Sequence, residues 1–129
     1  MYKHIAVMVV LITAWTVTAC AYSNLLEETK KTINPIYLKD ITTIELTDTP
    51  IIDSTGIERC SVYYPRNKSI YLKKVYFGVC PSYRDDLIHE VKHHWCCEND
   101  VKYKKDFCMG DKVDEYRSHQ GCFLTIPIK

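Results

Sequence analysis

The chain has 129 residues, with 17 Lys and Arg set against 16 Asp and Glu. That length suits one small domain, and so even a charge balance leaves no basic footprint for nucleic acid. No repeat or low-complexity segment appears, and the ten scattered tyrosines suit strands and a small apolar core as well as a binding surface.

Residues 1–19 read as an export signal. Lys3 and His4 give a positive start, and residues 5–17, IAVMVVLITAWTV, form an uncharged and mostly apolar run. That run is too short to span a bilayer comfortably and fits a signal-peptide core. Val17-Thr18-Ala19-Cys20 then resembles the lipobox of bacterial lipoproteins. The resemblance implies a lipid on Cys20, which becomes the new N-terminus, and a place in the bacterial cell envelope. Ala21, rather than Asp, implies the periplasmic face of the outer membrane in a Gram-negative cell. An ordinary secretory signal with an incidental Cys20 is the other reading.

Export governs the remaining cysteines, Cys60, Cys80, Cys96, Cys97, Cys108 and Cys122. Six in a small exported segment point to as many as three disulfides, whose pairing the spacing does not choose. A second, structural zinc competes, but no CxxC pair occurs, and adjacent cysteines do not easily ligate one ion. Cys96 and Cys97 point about 100° apart on a helix, so separate partners are expected.

Residues 20–35 form a lipidated tether or a short helix, and residues 36–129 form the domain. Residues 41–47, ITTIELT, alternate and are β-branched, as a strand requires. Residues 48–56 read as a loop. Residues 60–64 and 69–77 read as two strands of a hairpin about the turn residues Pro65 to Lys68. Residues 82–97 are the strongest helix, with Ser82 and Asp85 at capping-box spacing. Leu87, Val91 and Trp95 recur every four residues along it. Residues 100–111 read as a loop and 111–119 as a second, shorter helix stopped by Gly121. The expected fold is α+β: a small antiparallel sheet packed on the long helix and a second short one, stapled by disulfides.

The long helix carries His89-Glu90-Val91-Lys92-His93. Residues four apart share a helix face, so two imidazoles there can hold one Zn²⁺. Glu90 would lie beside the ion, placed to take a proton from a water that the metal acidifies and to return it to a leaving amine. Residue frequencies make an accidental match about a one-in-a-hundred event. A site of this type needs a third protein ligand and an open position. Glu115, 22 residues past His93, is the favoured third ligand, and Asp114, His119, Glu98 and Asp111 compete. His94 reads as a surface or core residue.

The motif with Glu115 resembles the gluzincin branch of the HExxH zincin metallopeptidases, in its minimal single-domain form. The resemblance spans roughly residues 69–119, and its specific part is five residues and one glutamate. It implies peptide-bond hydrolysis with Glu90 as general base, His89, His93 and Glu115 as zinc ligands, and a protein or peptide substrate. It also implies that residues 69–77 line the cleft and offer the substrate a strand edge. Two departures stand out. His119 occupies the position where such enzymes often carry an orienting Asp, and remains a third-ligand or proton-donor alternative. The glycine and third histidine of the metzincin branch are absent. Tyr83, Tyr103 and Tyr116 are further oxyanion-stabiliser candidates. The competing reading is a non-catalytic, disulfide-rich lipoprotein that binds or supports envelope components.

Overall fold

The computed structural model describes residues 24–53, 55–74, 80, 82–113 and 124–129. Their architecture is α+β, a three-stranded and a two-stranded sheet with helices. The signal segment, Cys20, Glu115, His119 and Cys122 lie outside the described residues.

The chain enters through α1, Leu26–Thr29, and a 3₁₀ turn, Pro35–Leu38. Both belong to the folded body. Asn24 Oδ1 accepts from the backbone N–H groups of Leu26 and Ile44, tying the start of α1 to the sheet. Ile33 is 1% exposed and bridges to Ile128 near the C-terminal end.

The strands follow as β1, Thr43–Thr47; β2, Ile51–Ile52; β3, Glu58–Arg59; β4, Ser61–Tyr64; and β5, Ser69–Lys73. β4 and β5 form the expected hairpin, antiparallel with Ser61 opposite Leu72 and Tyr63 opposite Ile70. β1 joins the other side of β5 in parallel, with Ile44 opposite Ile70 and Leu46 opposite Leu72. The sheet is therefore mixed, in the order β1-β5-β4, and not antiparallel. Alternating side chains define which face of a strand is buried, but not the direction of its neighbour. β5 is also the central strand, which corrects the expectation that it lends its edge to a substrate: residues 69–72 are paired on both sides. Residues 75–79 lie outside the described residues.

The stretch read as a loop, 48–56, holds β2, which pairs antiparallel with β3 just after it. Asp53 organises its turn, accepting at Oδ1 from the N–H groups of Thr55 (2.8 Å) and Ile57 (3.0 Å) and at Oδ2 from Arg59 Nε (2.8 Å). Gly56 takes φ of 85° there, a conformation that side chains disfavour.

The long helix, α2, runs Tyr83–Asn99, and its Ser82 cap accepts from the Asp85 N–H as the sequence indicates. A further helix, α3, covers Val101–Phe107, inside the stretch expected to be a loop. Asp100 is the pivot: its N–H closes α2 on the Cys96 carbonyl, and its Oδ1 accepts from the Tyr103 N–H to open α3. Of the helix expected over 111–119, residues 111–113 are not helical, and the rest lie outside the described residues.

The core joins Ile44, Ile70, Leu72 and Tyr63 of the sheet to Val91 of α2 and Tyr103 of α3. Two disulfides brace this body, Cys60–Cys80 and Cys97–Cys108. Cys96 is also disulfide-bonded, so the adjacent cysteines take separate partners as expected. Among the described residues, no helix is long and apolar enough to cross a membrane.

Candidate metal centre

α2 buries an unusual set of side chains for a helix against a sheet. Asp86, Glu90, His93 and His94 are buried together with Val91, Cys96 and Cys97. Burying so many ionisable groups is costly unless each is paired, so their partners matter.

His89 and His93 stand one turn apart, with their Nε2 atoms 3.0 Å from each other. The rings meet edge to face, centroids 4.5 Å apart. The Glu90 carboxylate reaches to 3.9 Å from His89 Nε2. One donor atom from each of these three residues lies within 4.8 Å of the others, and among the described residues this is the group that could hold a metal ion. The fit is sound on chemical grounds. Two imidazoles on one tetrahedral ion place their nitrogens about 3.3 Å apart, a small ring rotation from the separation here. His89 is 33% exposed and opens the pair toward solvent, whereas Glu90 is 1% exposed.

Both buried partners of this pair are held from other elements. Ser61 Oγ, on β4, donates to Glu90 Oε1 at 2.9 Å. Tyr103 OH, on α3, lies 2.7 Å from His93 Nδ1. Neither contact follows from the motif. β4 is an outer strand of the sheet, so Ser61 brings an outer strand against the motif glutamate.

His94 lies outside this group and is a core residue, one of the two readings the sequence allowed. Its Nε2 faces the Lys39 carbonyl at 2.6 Å, and its Nδ1 faces Tyr63 OH at 2.8 Å. A carbonyl only accepts, so Nε2 carries the proton and Nδ1 accepts from the phenol. Burial pushes the His94 pKa below the ordinary imidazole value and raises that of Tyr63 well above an ordinary phenol. The link ties the 3₁₀ turn, α2 and β4 together.

Of the expected third ligands, Glu115, His119 and Asp114 lie outside the described residues. Glu98 pairs with Lys68 at 3.2 Å, and Asp111 pairs with Arg66 at 2.9 Å, and neither belongs to the His89–Glu90–His93 group. Of the expected oxyanion stabilisers, Tyr83 donates to the Lys74 carbonyl, Tyr103 is buried against His93, and Tyr116 lies outside the described residues. Ser61, Tyr63 and the contact of Tyr103 with His93 were not anticipated. Tyr103 and Phe107, four apart and in edge contact at 5.0 Å, are a helical spacing that the sequence held, too sparse to draw an apolar stripe.

No family model matches the chain, and neither a curated protein nor a solved structure matches it.

Proposed function

We propose that the chain is an exported zinc metallopeptidase, anchored to the cell envelope through a lipid on Cys20 and acting on proteins or peptides there. The reading rests on one observation above the others: the facing Nε2 atoms of His89 and His93, 3.0 Å apart, with a carboxylate beside them on the same helix. His89 and His93 would hold the zinc through Nε2, with Glu115 as third ligand. The bound ion would supply Lewis acidity and an acidified water. Glu90 would take the proton at its carboxylate and pass it to the departing amine. Ser61, bonded to Oε1, restricts the rotation of that carboxylate and keeps it aimed. The disulfides suit the oxidising compartment that export implies.

The test is zinc content and hydrolysis measured together. Wild-type protein should retain about one zinc per chain after dialysis, and the double variant His89→Ala/His93→Ala should retain none. Glu90→Gln should keep the zinc and lose about a hundredfold or more of the hydrolysis of a denatured protein substrate. Wild type without stoichiometric zinc, or Glu90→Gln with undiminished hydrolysis, would sink the proposal.

One observation favours the non-catalytic lipoprotein as a second reading. Glu90 is 1% exposed and bonded to Ser61, as a purely structural carboxylate would be. In that case zinc binds, no peptide is cut, and a chelator unfolds the chain.

A further inference from the structure

Two nitrogens on an imidazole are not equivalent, and a histidine can ligate through Nε2 only when the proton sits on Nδ1. His93 is 3% exposed, so bulk water does not choose its tautomer; the side chains against it do. His93 Nδ1 lies 2.7 Å from the Tyr103 phenol oxygen, and its Nε2 lies 3.0 Å from His89 Nε2. Tyr103 is itself 2% exposed and tightly held. Its N–H is capped by Asp100, its ring is met edge-on by Phe107, and Cys97–Cys108 closes the α2–α3 turn around it.

We propose that Tyr103 is the positioning residue of this centre: its phenol oxygen accepts the His93 Nδ1–H, leaving the Nε2 lone pair aimed at His89 and at an ion between them. The inference rests on the metal-binding reading of the histidine pair and adds to it the residue that prepares one ligand. A neutral phenol suits this task in a buried place, because it offers an acceptor without burying a negative charge. Partners of this kind, one bond removed from the ion, change metal affinity by roughly 10–100-fold when removed.

The experiment uses the full exported chain with disulfides intact. Long-range ¹H–¹⁵N correlation of the zinc-free wild type, above the imidazole titration range, should show His93 protonated at Nδ1. Tyr103→Phe should lose that tautomer preference and bind zinc roughly 10–100-fold more weakly, read by competition with a chromophoric chelator. His93 protonated at Nε2 in the wild type would overturn the proposal, and so would a folded Tyr103→Phe with unchanged tautomer and affinity. Should Tyr103→Phe fail to fold, the wild-type tautomer decides alone. Failure of the metal-binding reading looks different: the wild type then binds zinc no better than His89→Ala/His93→Ala, whatever the tautomer of His93.

Discussion

The Ser61 hydroxyl on β4 donates to Glu90 Oε1 on α2 at 2.9 Å, across a helix–sheet interface where Ser61 is 7% and Glu90 1% exposed. A buried carboxylate that loses such a donor is left poorly solvated. Ser61→Ala should therefore destabilise the fold by about 1–3 kcal/mol, measured by urea unfolding. Zinc content should stay at the wild-type level, because Ser61 touches neither histidine of the pair, while hydrolysis falls as the glutamate loses its orientation. An unchanged unfolding midpoint would show that the contact carries no weight.

Tyr63 and Tyr103 offer a matched contrast, since each phenol faces the Nδ1 of a buried histidine on α2, at 2.8 and 2.7 Å. Tyr63 serves His94, whose other nitrogen is used on the Lys39 carbonyl. Tyr63→Phe should cost about 1–3 kcal/mol of stability by orphaning that nitrogen, yet leave zinc affinity unmoved. Tyr103→Phe should move affinity. If both variants weaken zinc equally, the effect is general loosening of α2, and the distinction between core and site histidine falls.

The contrast also shows what could be read from sequence. α2 was legible because its signals are local: Ser82 caps it, and Val91 lies at its centre, fully buried. The hairpin was legible for the same reason, as turn residues between two β-rich runs, and Lys68 does take the left-handed φ of 52°. The parallel partnership of β1 with β5 was not, because it joins residues some 26 positions apart that no short-range pattern relates. α3 was missed because its sequence, VKYKKDF, is mostly charged, and a single buried tyrosine draws no stripe. The site divides likewise. His89, Glu90 and His93 are written within one turn, but Ser61 and Tyr103 meet them only once the sheet and the second helix are packed.

Asp53 gives a pH dependence independent of the His89–His93 pair. The Thr55 hydroxyl, the Arg59 guanidinium and two backbone N–H groups hold its carboxyl well below the ordinary value of 3.8. A carboxyl depressed in the folded state binds fewer protons than the unfolded chain does, so stability rises with pH through that window. The contribution to the β2–β3 turn is complete above 3.8 and is lost as pH falls from there through the folded value. The Asp53 carboxyl ¹³C shift, followed between about pH 5 and pH 1, should remain that of a carboxylate below the range where other exposed carboxyls titrate. Asp53→Asn should remove this part of the acid dependence. A titration at the ordinary value would mean that the turn is open in solution.

The disulfide Cys97–Cys108 spans 11 positions and closes the α2–α3 turn that carries Tyr103. Cys60–Cys80 spans 20 and lies at the start of the β4–β5 hairpin. Chain-entropy arguments give the two similar values, about 3 kcal/mol each. Removing either by paired Cys→Ser substitution should then lower the unfolding midpoint by comparable amounts. Their effects on zinc should differ. Without Cys97–Cys108, the α2–α3 turn loses its covalent closure, Tyr103 drifts from His93, and affinity falls in the direction of Tyr103→Phe. Without Cys60–Cys80, the histidine pair and its phenol are untouched, and affinity stays as it was. The measurement is chelator competition on both variants at a temperature where each remains folded. Equal losses would assign the change in affinity to global stability, and a loss confined to Cys97→Ser/Cys108→Ser would assign it to the seat of Tyr103.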